Sequence, residues 1–298
     1  MRSAACLLLE RSDEVFRKRG DVLTYDELVL RNDGYVPPET QDAIRKTRVL
    51  IAGCGLGSTI AEAAVRIGFD RLVLVDGDVV AVHNLNRQVY SARDVDQPKV
   101  TALARRLREI NPAVEVTAVF DWVTTDNAAH LVRDVDLVFD TIDFLALPGV
   151  VALHDECQRK HLPVVSAMTV GWGAAAVYFP PHDCSATFRE LFGLPPTGSV
   201  DHESYVERFA VVVERLAEVL DPAVTTVVGR ALARMEDGRP CPAPQVAPGG
   251  AAIASLAITM AVRVLRGEAV VCSPHMVLID VAAHTRSRGV DLRPRGPR

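Results

Sequence analysis

Between Arg48 and Met168 the chain repeats one pattern, an apolar, β-rich run of six or seven residues followed by a stretch with helical spacing. The runs are RVLIAG (48–53), RLVLVD (71–76), VEVTAVF (114–120), VDLVFD (135–140) and PVVSAM (163–168). Each is continuous rather than alternating, as strands covered on both faces require. Helix candidates fall between them at 57–67, 98–110, 126–133 and 150–160. Strand and helix in strict alternation predict an α/β fold with a doubly wound, mostly parallel sheet.

The regularity has limits on both sides. Residues 1–47 read as a helical N-terminal extension to this Rossmann-like unit of residues 48–298. AAAVYFP (174–180) continues as a strand, and then the alternation stops. The segment 182–248 carries two helical stretches, 202–220 and 222–236, and closes on RPCPAPQVAPGG. It reads as a helical crossover insertion or lid over a site, with a plain structural extension as the alternative. The following AAIASLAITMAVRVLRG (251–267) belongs to a helix that is either fully buried or at a subunit interface. It is too short for a membrane span and contains Arg263 and Arg266. MVLIDV (276–281) supplies a last strand, and the tail RPRGPR is expected to be disordered.

Composition narrows the class. Of 298 residues, 49% are hydrophobic and 24% charged, enough to build a core. The formal net charge of −5 gives no basic surplus for nucleic acid or a membrane surface, so any anion site must be local. The apolar run in MRSAACLLLERSDE is too short for a signal peptide, and a cytoplasmic location is the expectation. Six cysteines are scattered with no CxxC pair and read as small buried hydrophobes. His154 and Cys157 share a helix face as HxxC, but two ligands do not make a zinc site, and packing is the reading for both.

GCGLGS (Gly53 to Ser58) ends the first strand and opens the first helix. Glycines there, at Gly53, Gly55 and Gly57, let backbone approach a phosphate at a helix N-terminus. The motif departs from GxGxxG at Ser58, and a tight turn without ligand is the competing reading. Asp76 ends the second strand 23 residues after Gly53, where an acid can accept from ribose hydroxyls. Up to this point NAD and ATP fit equally. Arg87 follows the second strand, Lys99 opens a helix behind Pro98, and Asp143 lies just past VDLVFD. All three emerge on the ligand-binding edge of such a sheet. Singly, the cations read as surface charges and Asp143 as a helix cap. Together, two cations and a carboxylate around a glycine turn suit a magnesium–nucleoside triphosphate better than NAD.

With these residues assembled, the sequence resembles the adenylyltransferase family typified by ThiF and MoeB, relatives of ubiquitin-activating enzymes. The resemblance covers roughly Asp26 to Val281. It rests on GCGLGS, on LVDGD followed by NLNRQ (84–88), on PK at 98–99, INP at 110–112, FDTID at 139–143 and VSAMTVGWGAAAVYFPP at 165–181. It implies a site for ATP and Mg in which Asp76 holds the ribose, Asn84, Arg87 and Lys99 hold the phosphates, Asp78, Asn86 and Gln88 belong to the same nucleotide site, and Asp143 binds Mg. It also implies a homodimer, in which Arg31 of LVLRNDGY reaches the partner's site. The implied reaction is attack of a carboxylate on the α-phosphate, giving an acyl adenylate and pyrophosphate. The carboxylate would be the C-terminus of a ubiquitin-like or sulfur-carrier protein, a peptide, or a small acid. Where relatives carry the first CxxC pair of a structural zinc site this chain has TFRE (Thr187 to Glu190), so no zinc is expected. Cys184 and Cys241 bracket the crossover segment as candidates for a covalent intermediate. An NAD-dependent oxidoreductase and a catalytically inactive subunit of a heterodimer are the alternatives.

Overall fold

The computed structural model describes residues 23–182, 186–203, 205–236 and 244–287. The first 22 residues, Cys184, Cys241 and the tail beyond 287 lie outside that set. Thr24 caps helix α1 (Tyr25–Val29), with Glu27 closing a reciprocal capping box. Helix α2 (Pro38–Lys46) opens on proline, whose missing amide hydrogen would be unpaired there in any case, and buries Thr40 and Ile44.

Seven strands follow: β1 (Arg48–Ala52), β2 (Arg71–Val75), β3 (Glu115–Val119), β4 (Leu137–Asp140), β5 (Val164–Val170), β6 (Gly173–Phe179) and β7 (Val277–Ile279). They form one sheet in the order β3-β2-β1-β4-β5-β6-β7. Strands β1 to β5 run parallel, while β6 and β7 pair antiparallel. The intervening helices are α3 (Gly57–Ile67), α4 (Lys99–Ile110), α5 (Ala128–Leu131) and α6 (Leu147–Arg159). After β6 come α7 (Phe188–Leu191), α8 (Tyr205–Ala217), α9 (Pro222–Glu236) and α10 (Ala247–Leu265), and α11 (Val281–Ser287) follows β7.

The continuous apolar runs have a simple cause. Val49 and Ile51 of β1 face a core shared with α3, α4 and α10, whereas Leu50 and Ala52 face another shared with α5 and α6. The aliphatic residues of β1 and β2 are buried on one face or the other, each side chain contributing roughly 1.5–3 kcal/mol. The exception is β3, at the sheet margin, where Glu115, Thr117 and Ala118 are exposed. VEVTAVF therefore reads as a fully buried strand and is an edge.

Helix α10 begins at Ala247, earlier than its apolar run suggests, because Pro248 fits a first turn and the PGG of the proline-rich stretch is helical. By length and composition it could cross a membrane, but Ile253, Leu256, Ala257 and Ala261 pack into the core against α3, β5 and β6. Its other face, with Ala251, Ser255, Thr259 and Arg263, is exposed. Leu216, Leu220 and Val224 of the crossover segment cluster with Val170, Ala175 and Leu278, seating α8 and α9 on the β5–β6 hairpin and β7. From β1 the chain order runs to β2 on one side and β4 on the other, leaving a crevice beyond the carboxyl ends of these strands.

Candidate active site

Two of the three glycines after β1 are demanded from behind. Gly53 has φ of 85°, and a Cβ on it would stand 2.5 Å from the Thr141 carbonyl oxygen. A Cβ on Gly57 would meet Thr141 Oγ1 at 2.5 Å and Ile51 Cγ2 at 2.8 Å. Gly55 meets only the Gln88 side chain, at 3.3 Å, and is the glycine whose surroundings are set from the cavity side. Ser58, fully buried, donates to the Gly55 carbonyl at 2.6 Å and accepts from the Val89 amide at 3.3 Å. Tyr90 donates its hydroxyl to the Cys54 carbonyl at 2.7 Å. These bonds fasten the loop 84–90 to the glycine turn.

A cavity of about 480 Å³ opens at this crevice. Gly53, Gly55, Asp76, Asp78, Asn84, Arg87, Gln88, Lys99 and Asp143 all line it, whereas Gly57 and Asn86 do not. Both carboxylate oxygens of Asp76 accept from backbone, Oδ2 from Cys54 at 2.6 Å and Oδ1 from Asp78 at 2.8 Å. Two bonds leave about two acceptor positions of the carboxylate unused. Burial pushes its pKa up, and Lys99 pulls it back in part. Lys99 is buried, with Nζ 2.6 Å from Oδ2 of half-exposed Asp78. Asn84 is buried too; its Oδ1 accepts from the Ala81 amide at 2.9 Å, and Nδ2 donates to no described residue.

Arg87 is half-buried, and desolvation draws its guanidinium below the ordinary range while Asp143 works the other way. It forms no ion pair among the described residues. Asp143 is exposed and caps the turn after β4, accepting from the Leu145 amide at 3.1 Å with Oδ1, so its helix-cap and ligand readings are compatible. Gln88 Oε1 and Thr169 Oγ1, both on lining residues, are buried without a hydrogen-bond partner.

Arg31 lies elsewhere. It is exposed on a short 3-10 turn whose Asn32 donates to the Ile67 carbonyl at 3.0 Å, at the far end of α3 from the glycine turn. An eleven-residue helix separates the two by roughly 16 Å. His154 has a packing role: its Nε2 sits 2.9 Å from Asp140 Oδ2, and its ring packs on Phe179 and Phe188. Burial pushes the neighbouring Cys157 thiol up to about 12. Thr187 and Glu190 of TFRE form the capping box of α7.

Three lining residues have roles that the sequence analysis does not assign. Trp122, 56% exposed, lies over Gly77, where a Cβ would come within 2.5 Å of the indole. Thr141 donates to the Gly53 carbonyl at 2.7 Å and supports the turn from β4. Gln245 closes on Arg87 from the far end of the crossover segment. Trp122 is an aromatic just past a strand end and Thr141 lies within FDTID, whereas Gln245 left no signal in the sequence.

The fold and cavity together define a doubly wound α/β protein with a glycine-lined, cation-bearing pocket at the sheet's switch point. The chain belongs to the ThiF family, which matches residues 30–295. It is 37% identical over 149 residues to protein HesA of Leptolyngbya boryana, covering 48% of this chain and 53% of HesA. It is 33% identical over 167 residues to the sulfur carrier protein adenylyltransferase of Thermus thermophilus, covering 54% of this chain and 61% of that protein. The match thus spans only about half of HesA's own length. Among solved structures, the tRNA N6-threonylcarbamoyladenosine dehydratase TcdA of E. coli in complex with ATP superposes with a TM-score of 0.55 at 22% identity, covering 81% of this chain and 95% of that one.

Proposed function

We propose that this chain is an ATP-dependent adenylyltransferase that activates a carboxylate as its acyl adenylate. The observation that carries the reading is the set of two cations, Arg87 and Lys99, facing a glycine turn beside backbone-braced Asp76 and the free edge of Asp143. The relatives add support, one being a named adenylyltransferase and one a structure holding ATP.

The residues fit the nucleotide. Asp76, oriented by two amides, keeps acceptor positions for ribose hydroxyls, and the N-terminus of α3 with Gly55 offers amides to phosphate. Lys99, Arg87 and Asn84 bring donors to the triphosphate. The described residues contain no cluster of three metal ligands. Mg fits instead as it does in most nucleotide sites, on one carboxylate, Asp143, plus phosphate oxygens. Bound ATP would supply an electrophilic α-phosphorus and a pyrophosphate leaving group. The attacking carboxylate is already ionised at neutral pH, so this chain needs no general base. Its part is alignment and neutralisation of charge, which the cations and the turn supply.

A homodimer belongs to this reading. Arg31 lies at the far end of α3 from its own cavity, and in a homodimer it would serve the second copy's site. The substrate class proposed is the C-terminus of a small carrier protein, a peptide, or a small acid. Calorimetric titration with ATP and Mg²⁺, followed by carboxylate-dependent exchange of labelled pyrophosphate into ATP, tests it. ATP binding weakened by about tenfold or more in both Asp143→Ala and Arg87→Ala is the expected result; a rise in melting temperature with NAD and none with ATP would sink the proposal.

A further inference from the structure

Gln245 stands two residues before α10, at the carboxyl end of the crossover segment. Side chain and backbone both close on the loop that carries Arg87. Gln245 Oε1 accepts from Arg87 Nε, and the Gln245 carbonyl accepts from Asn86 Nδ2 at 3.1 Å. One turn further, Gly250 approaches so closely that a Cβ there would lie 2.7 Å from the Arg87 carbonyl oxygen. Arg87 Nη1 is held as well, by the His83 carbonyl and Asn86 Oδ1, each at 2.8 Å. Of the five guanidinium donors, the two on Nη2 bond to no described residue.

We infer that Gln245 is the positioning residue of this site, fixing the Arg87 guanidinium so that its two unengaged donors are kept for phosphate oxygens and tying that arginine to the start of α10. The inference rests on the nucleotide reading above. An amide suits the task better than an acid. A glutamate would orient Arg87 equally but neutralise the charge that phosphate needs, whereas a neutral acceptor orients it and leaves the cation intact. An unheld arginine would have to give up its rotamer freedom on each binding event, and here the fold has already done so. Because the same residue bonds through its carbonyl to Asn86, nucleotide at Arg87 and the position of the crossover segment's end are coupled through one side chain.

The test is a double-mutant cycle by calorimetry on the full chain, using Mg-ATP and adenosine as ligands for wild type, Gln245→Ala, Arg87→Ala and the double variant, with melting temperatures as the folding control. Gln245→Ala is expected to weaken ATP binding about tenfold and leave adenosine within about twofold, since only phosphates meet Arg87. In the Arg87→Ala background it should change nothing further. Gln245→Glu should fold like wild type and bind ATP more weakly than Gln245→Ala. Equal losses for adenosine and ATP, additivity with Arg87→Ala, or unchanged ATP affinity would each overturn the positioning role while leaving the nucleotide site standing. A wild type that binds no ATP overturns both.

Discussion

Two buried aspartates stand at the carboxyl ends of the strands flanking β1, and they are built in opposite ways. Asp140, the last residue of β4, is enclosed by side chains: His154 Nε2 lies 2.9 Å from its Oδ2, Ser166 Oγ donates to the same oxygen at 2.9 Å, and the Ile142 amide reaches Oδ1 at 3.1 Å. Asp76, just past β2, has only the amides of Cys54 and Asp78, and its remaining lone pairs face the cavity. Both are under a tenth exposed, so burial does not distinguish them. The kind of partner does. Side chains that converge on a carboxylate use up its acceptors and join α6 to the sheet; backbone amides orient it and leave acceptors for a ligand. Asp140 joins helix to sheet, and Asp76 is the acid with acceptors left over for the proposed nucleotide.

The largest effect is expected where the comparison is sharpest. Asp140→Ala leaves His154 and Ser166 without their buried acceptor and should destabilise the chain by about 3 kcal/mol. Urea unfolding measures this, and calorimetry on the folded protein should find ATP affinity within about twofold of wild type. Loss of ATP binding at unchanged stability would reverse the two roles. Asp76→Ala orphans two amides as well, for about 2 kcal/mol of stability, but its main effect should be a fall in ATP affinity of at least about thirtyfold. Lys99→Ala comes next. Its partner Asp78 is half-exposed and water can replace the ammonium, so stability should move by less than about 0.5 kcal/mol. ATP affinity should drop by about tenfold or more, because a charge-assisted bond to phosphate is lost. A stability loss as large as that of Asp140→Ala would place Lys99 with the structural cluster.

The division between the two regions also explains what the sequence discloses. Strands β1, β2, β4 and β5 are legible within a residue or two because burial on both faces writes itself as an unbroken apolar run. Strand β3 carries Glu115 and Thr117 within its run, polar positions that match its place at the margin, but strand order itself is contained in no local pattern. The site residues on GCGLGS, NLNRQ and FDTID lie where three strands end, so spacing alone brings them to one edge. Ser58 shows a limit: read as a missing glycine, it is a fully buried strut between Gly55 and Val89. Gln245 shows another, since it reaches Arg87 from 158 residues away out of a proline-rich stretch with no periodicity. Asp140 and Asp143 share FDTID, and only the fold separates the structural acid from the site acid.

Trp122 offers the finest division within the cavity itself. Its indole covers the Gly77 backbone between Asp76 and Asp78, and more than half of it is exposed. A flat apolar ring beside the acid proposed to hold the ribose can support a base by stacking, worth roughly 0.5–1.5 kcal/mol. Trp122→Ala is therefore expected to weaken ATP and adenosine alike, by about threefold to fivefold, with little change in melting temperature. That signature is the inverse of the one expected for Gln245→Ala, which should touch only the phosphates. Calorimetry with both ligands on both variants would separate a base end from a phosphate end of the same cavity. If Trp122→Ala weakened ATP and spared adenosine, the nucleotide would lie the other way round, and Asp76 could not be its ribose partner.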